Sequence, residues 1–257
     1  MEILKIDIVG KFAHFRKFYS NSTALSFTLP PRTTVIGILA GMLGREKETY
    51  YEEFASDKIR ISVALQSSIK KQIHRLNYLK VEGPSDFRGK KLHVQTPLEV
   101  VSPKKFSKDS LIYSIYISYY EAGEQLFNEL KEVITKKNFS YSLSLGTAFF
   151  LANVENIQLF PNETIEEKSA SEEVVNFNSA INTDKITSIK FDKNTVKDFF
   201  IEEEQMPADF RGNKDRETVK FNKVLYIDGG KELPVIFSGN YFSVKTDSKI
   251  LNIDFWE

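Results

Sequence analysis

The chain has no cysteine among its 257 residues. That excludes a disulfide framework, a thiolate metal site and a cysteine nucleophile, and it suits a cytoplasmic protein. Histidine is scarce: His14, His74 and His93 are the only three, at spacings that suggest no metal site. The phosphate-binding Gly-x-x-x-x-Gly-Lys-Ser/Thr, the dinucleotide-binding Gly-x-Gly-x-x-Gly and the His-Glu-x-x-His pattern are all missing, so nothing calls for a cofactor or a metal. No apolar run approaches the ~18 residues of a membrane span. The N-terminus reads as a strand with an acid at position 2, not as a signal peptide, and no membrane partner is expected.

Net charge is also absent, with 35 Lys and Arg balancing 35 Asp and Glu. A general nucleic-acid coat would be basic overall. The charge is nevertheless polarised. Residues 11–32 hold Lys11, Arg16, Lys17 and Arg32 and no acid, and residues 58–108 hold twelve Lys and Arg against Glu82, Asp86 and Glu99. The rest of the chain is correspondingly acidic. Such a split suits one face that meets phosphate while others meet solvent or protein. For the central segment taken alone, solvated surface is the plainer reading.

Apolar and aromatic residues are plentiful, at 41% and 13%, enough for a sizeable core in one elaborated domain or two modest ones. Leu4, Ile6 and Ile8 alternate with Lys5 and Asp7 in an opening strand. Residues 32–43 read as a helix with Pro31 at its first turn and Gly44 beyond its end. Residues 48–55 suggest a short second helix. Strands follow at 59–65 and 111–119, an amphipathic helix at 121–137 and a strand at 153–160. The order is β-α-β-β-α-β, an α+β plan of the ferredoxin-like (RRM-like) kind. About 40 residues separate its second and third strands, far more than a hairpin loop needs. A long inserted β-hairpin over 68–101 accounts for them, with Lys70, Gln72, His74, Leu76, Tyr78 and Lys80 on one side and no clean apolar face. The palm with its hairpin thumb would occupy 1–160. Beyond it, residues 162–173 are acidic and read as a linker or surface loop. A smaller, mostly-β module would fill 161–257, with turns at Asp228-Gly-Gly and Ser238-Gly-Asn.

Two features point towards RNA. The loop after the first strand mixes Lys11, Arg16 and Lys17 with Phe12, Phe15, Phe18, Tyr19 and Phe27; cations hold phosphates, and rings stack on unpaired bases. The helix that follows carries Gly37, Ala40, Gly41 and Gly44 at i, i+3, i+4 and i+7. Each interior glycine costs roughly 1 kcal/mol against alanine, which close approach of another backbone could offset. Tight packing on the sheet is the plainer account, and an RNA backbone or partner helix the alternative. Phosphate would favour the helix N-terminus.

Five stretches resemble, in order, the family-five proteins of the CRISPR-associated (Cas) system, members of the RAMP superfamily. They are Gly10, Phe12, Ala13, Phe15 and Arg16; Pro30, Pro31, Thr33, Gly37, Leu39 and Ala40; residues 95–101; residues 142–152 around Gly146; and residues 206–211 with Arg216. The resemblance implies a crRNA-binding subunit of a type I Cascade, closest to the I-B branch, that caps the 5′ handle. Its partners would be the family-seven backbone subunit, the large subunit and, indirectly, target DNA. Phe12, His14, Phe15, Arg16, Lys17, Arg32 and Gly146 would hold the handle, and Lys70, Lys71, Arg75, Lys90 and Lys91 would carry the hairpin over the guide. One branch of that family cleaves its own guide precursor with Tyr, Lys and His. His74, Tyr78 and Lys80 share a strand face and leave open a metal-independent endoribonuclease. A stand-alone RRM-like binder of unrelated RNA is the third reading.

Overall fold

Alternation decides the first element: Leu4, Ile6 and Ile8 are buried on one side of β1 (Ile3–Gly10), as the two-residue repeat of a strand requires. The computed structural model describes residues 1–20, 23–88, 93–190, 200–211 and 217–256. It is a mixed α/β fold, mostly strands with two helices among the described residues. After β1 come β2 (Phe15–Arg16), β3 (Ser26–Phe27), α1 (Arg32–Met42), β4 (Ile59–Leu65), β5 (Ile69–Leu79), β6 (His93–Pro103), β7 (Leu111–Tyr119), α2 (Glu124–Thr135), β8 (Leu143–Ser144) and β9 (Leu151–Phe160). The chain continues through β10 (Ile165–Phe177), β11 (Ile181–Asn182), β12 (Ile186–Ile189), β13 (Ile201–Phe210), β14 (Thr218–Ile227), β15 (Leu233–Lys245) and β16 (Ile250–Ile253).

The largest sheet has the order β4-β7-β1-β9-β8, and each neighbouring pair is antiparallel. On one face Leu4, Ile6, Ile8, Ile61, Val63, Ile115 and Ile117 share a core with both helices. α2 turns Leu126, Phe127, Leu130 and Ile134 into it and leaves its charges outside. The other face is also covered. Ile3, Ala64, Tyr116 and Phe160 pack under Phe242, Val244, Leu251, Ile253 and Phe255. Asp7 is buried there, satisfied by the Ser114 hydroxyl at 2.6 Å, the Asn156 amide at 3.0 Å and Lys5 at 3.1 Å. Ala180, Met206, Val224, Tyr226 and Trp256, all from beyond residue 160, join the helix-side core.

Several elements differ from expectation. Residues 48–55 form turns, not a helix; Glu48 sits at φ 71, a left-handed conformation that interrupts a right-handed helix. The acidic stretch expected as a linker is a strand from Ile165 onward, because β10 pairs with β15 from Ile165↔Val244 to Phe177↔Leu233. Backbone pairing decides the strand, and its carboxylates simply face water. β15 runs straight through the expected turn at Ser238-Gly-Asn. Gly239, at φ +141, lies opposite a register shift between Ala170 and Glu173, so the glycine serves a bulge. β13 was not foreseen at all, since Glu202, Glu203, Glu204 and Pro207 are poor strand formers.

Arg32 corrects a site expectation. It was taken as a cation for RNA, yet it is 0% exposed. Its guanidinium donates to the carbonyls of Phe54 and Ile59 at 2.8 Å each and of Ala208 at 3.2 Å, and it pairs with the Asp209 carboxylate. Burial pulls its pKa down, with Asp209 opposing. Arg32→Met should leave Asp209 without its counter-ion and cost about 3–5 kcal/mol in a urea melt. The double variant Arg32→Met/Asp209→Leu should recover much of that loss; a double variant as unstable as the single would show that the ion pair itself holds the fold.

Candidate nucleic-acid interface

The hairpin expected over 68–101 is β5 paired with β6 from Ile69↔Pro103 to Leu79↔His93. Its base is anchored, contrary to the expectation of a ribbon without an apolar face. Ala13 forms an antiparallel bridge to Val101 and Ala24 a parallel bridge to Leu98, both on β6, so the first loop is tied to the hairpin base at two points. Leu98, Val100 and Ala24 form a small core with Phe12, Leu76 and Phe150. Further out Ile73, Tyr78, Phe87 and Val94 are exposed.

Between the hairpin and the helices lies an open cleft of about 850 Å³. His14, Phe15, Arg16 and Phe18 of the first loop form one wall, and Tyr78, Thr96 and Leu98 of the hairpin another. Pro31, Thr33, Thr34, Gly37 and Gly41 of the α1 region form the floor, with Tyr50 and Tyr51 beside them. The turn at Ser142–Thr147, including Gly146, and Pro207 and Phe210 of β13 close the rim. α1 begins without a side-chain cap and has no acid in its first turn, so its N-terminal dipole faces the cleft uncompensated, which favours an anion.

The glycine stripe on α1 is resolved by this cleft. Gly37 and Gly41 do not pack on the sheet. A methyl at Gly41 would meet nothing within 4 Å, and one at Gly37 only the Tyr50 hydroxyl at 3.4 Å. Gly146 is different in kind: it has φ +97, and a Cβ there would lie 1.8 Å from the His14 carbonyl oxygen. The His14 N–H donates to Leu145 at 3.0 Å, so two backbones touch at a place where no side chain fits.

The predicted site residues divide. Arg16 is exposed in the cleft wall, with no ion partner among the described residues. His14 lines the cleft with its ring nearly buried; Nδ1 donates to the Glu99 carbonyl at 2.7 Å. Burial lowers its pKa, with the hydrogen bond to Glu99 opposing and nearby Arg16 adding to the fall. Phe15 is 2% exposed in the main core, and Phe12 is half-buried between Phe106 and Phe150; neither ring is free to stack on a base. Lys17 and Lys71 are engaged with carboxylates: Lys17 lies 2.8 Å from Glu204, and Lys71 lies 3.2 Å from Glu202. Glu204 keeps Lys17 charged, raising its pKa despite burial. Lys70 is half-buried and Arg75 exposed on the hairpin; Lys90 and Lys91 lie outside the described residues. His74 and Tyr78 share an exposed face of β5, while Lys80 turns to Glu82 at 2.8 Å.

Two things were missed. Glu202 and Glu204 flank the Tyr226 hydroxyl at 2.6 and 2.7 Å and also accept from Thr28, through its hydroxyl at 2.6 Å and its N–H at 3.1 Å. Burial alone would raise the Glu202 pKa, but Thr28, Tyr226 and Lys71 bring it below the usual range. This knot ties the first loop and the hairpin base to β13 and β14. The second omission is Phe221, which extends the exposed loop rings Phe18 and Tyr19 already marked by the sequence. Phe18 and Tyr19 are 58% and 57% exposed, and Phe221 of β14 stands 5.4 Å from Phe18. The alternation Val219, Phe221 on the outward face of β14 was the available signal.

Neither a family model nor a curated protein matches the sequence. Among solved structures the chain is similar to the crystal structure of a CRISPR protein from Archaeoglobus fulgidus, with a TM-score of 0.58 and 12% identity over 98% of this chain and 99% of that one. It is similar to a chain of a CRISPR RNA-guided surveillance complex, with a TM-score of 0.50 and 11% identity over 90% and 91%. A crystal structure of a Cas protein gives a TM-score of 0.45 and 14% identity over 92% and 95%. At these identities the likeness is one of fold.

The glycines can be tested without any ligand. Gly41→Ala should raise the stability of the free protein by about 0.5–1 kcal/mol, because open space receives the methyl and the helix gains propensity. Gly146→Ala should lower it by roughly 1–3 kcal/mol through backbone strain. Denaturant titration reads both; equal and opposite signs to these would contradict the geometry.

Proposed function

We propose that this chain is an RNA-binding assembly subunit of a type I CRISPR surveillance complex, holding the 5′ handle of the crRNA in the cleft. One observation carries the reading. The five stretches that resemble family-five Cas proteins lie far apart in sequence, yet each lines this one cleft: Arg16, Thr33 and Gly37, Thr96 and Leu98, Gly146, and Pro207 and Phe210. A shared surface of that kind supports a shared ligand. Similarity of fold to a chain of an RNA-guided surveillance complex supports the assignment.

In this reading Arg16 and the N-terminus of α1 take phosphate, Gly37 and Gly41 let the sugar-phosphate backbone approach, and Phe18 and Tyr19 stack on bases. The exposed outer hairpin, with Arg75, Ile73 and Phe87, reaches the family-seven backbone subunit, and the large subunit and target DNA lie beyond. The strand order β4-β7-β1-β9 with both helices on one face supports a ferredoxin-like palm over 1–160, carrying the hairpin as its thumb and followed by a mostly-β module working with it in the cytoplasm. A stand-alone RRM-like binder would use the open face of its sheet, but here that face lies under Phe242, Val244 and Phe255.

RNA titrations at several salt concentrations, run beside thermal melts, test the site. Arg16→Ala should lower the slope of log K against log salt by about 0.7, the value for one phosphate on a single strand. Phe18→Ala and Tyr19→Ala should weaken binding by roughly 1–3 kcal/mol each with the slope kept. Phe15→Ala should instead lower the melting temperature, as loss of a core ring costs about 3–5 kcal/mol. Folded Arg16 and Phe18 variants that bind with unchanged affinity and slope would remove the cleft from the RNA site. Specific metal-independent cleavage of repeat RNA, lost on His74→Ala, would favour the endoribonuclease.

A further inference from the structure

Outside the cleft lining, the turn between β6 and β7 gathers Lys104, Lys105 and Lys108 around an exposed ring, Phe106. We propose that this turn is a second contact for single-stranded RNA, which it takes as the strand leaves the cleft; the path rests on the cleft reading above.

The turn is built, not loose. The Lys104 N–H donates to Ser68 at 2.8 Å, and those of Lys108 and Asp109 donate to the Lys105 carbonyl at 3.0 and 2.9 Å. Lys11 reaches across to the Asp109 carbonyl at 2.6 Å, with its ammonium 5.7 Å from the centre of the Phe106 ring. Two other cations near the first loop are engaged by acids, Lys17 by Glu204 and Lys71 by Glu202. Lys104, Lys105 and Lys108 have no ion pair among the described residues. Three exposed lysines within five residues concentrate positive charge on this turn, which a polyanion can neutralise.

The ring gives the polyanion its identity. Phe106 is 44% exposed and lies against Phe12 at 5.1 Å and 27°, and Phe12 in turn contacts Phe150 at 5.5 Å. The outermost ring of a backed row is a firm platform for an unpaired base. A duplex hides its base faces, so the ring would serve it little. The row also connects the two places. Ala24 and Leu98 line the cleft and pack in the same cluster as Phe12 and Phe150, and Phe12 stacks on Phe106, so one packed cluster joins the cleft wall to the turn.

Salt titrations of the full chain with single-stranded RNAs, lengthened one nucleotide at a time from either end, test this. The triple variant Lys104→Ala/Lys105→Ala/Lys108→Ala should lower the salt slope by about 2 on long RNAs, three phosphates at ~0.7 each. On the shortest RNA that still depends on Arg16 its slope should match wild type. Phe106→Ala should weaken long-RNA binding roughly 5- to 150-fold without changing the slope. Slopes equal to wild type at every length would overturn the proposal, as would the same loss on the shortest RNA, which would make the turn part of the cleft. A lysine effect that persists although Arg16→Ala changes nothing would overturn the cleft reading and leave this contact standing. No binding of any RNA by the wild-type chain would overturn both.

Discussion

A buried guanidinium sets the geometry on which the cleft depends. Taking an ion out of water costs several kcal/mol unless its hydrogen bonds are replaced, and Arg32 replaces those of its two terminal nitrogens from three parts of the chain, while its buried Nε has no partner among the described residues. It donates to Phe54 and Ile59, which bracket the entry into β4, and to Ala208 and Asp209 in β13. α1 therefore starts at a fixed place relative to both strands. Pro31, Thr33 and Thr34 on one side of that junction and Pro207 and Phe210 on the other are cleft walls. The stretch at 30–40 and the stretch at 206–211 are thus one structural unit closed by one ion pair.

The shortage of free cations around the cleft has a related cause. Several cations that read in sequence as a phosphate-binding field are consumed inside the fold: Arg32 by Asp209, Lys17 by Glu204, Lys71 by Glu202. Pairing of that kind fixes direction more than it adds stability. Lys17 and Lys71 come from the first loop and the hairpin, Glu202 and Glu204 from β13, and Tyr226 from β14, so the knot sets the hairpin's angle to the body. Among the described residues lining the cleft, Arg16 is then the one Lys or Arg. Attraction for an anion there rests on Arg16 together with the uncapped start of α1, a modest field that makes shape and stacking matter more than bulk charge.

How much of this the sequence carried depends on the kind of signal. Alternation at Leu4, Ile6 and Ile8 and the stripe Leu126, Leu130 and Val133, flanked by Phe127 and Ile134, marked elements correctly because those side chains pack on one core, Val133 only at its margin. The acidic first part of β10 and the whole of β13 were illegible, since their strand character comes from long-range pairing to β15 and β14, which no local pattern records; the apolar end of β10 from Val174 onward reads as a strand. The basic, aromatic loop was legible as a whole but not residue by residue. Phe15 and Phe18 are three apart in the same loop; the first is pinned by β2–β3 pairing under Tyr113 and the second points out beside Phe221. Only the tertiary partner decides which ring is core. The glycines on α1 were recognised as costly, but the reason lay in an empty volume, and an absence of neighbours leaves no trace in sequence.

That empty volume also explains why the cleft, and not the sheet, is the surface left for a ligand. Ile3, Ala64 and Tyr116 on the sheet face away from the helices are closed off by Phe242, Val244 and Phe255, so the face that an isolated four-stranded palm would expose is spent on holding the C-terminal strands. The same strands bring Tyr226, Glu202 and Asp209 to the junctions that position the first loop, the hairpin and α1. Covering one face is therefore coupled to shaping the groove on the other side. In a chain arranged this way, a glycine floor is the consistent choice: side chains on α1 would fill a space whose walls are already set by buried ion pairs and cannot move apart to make room.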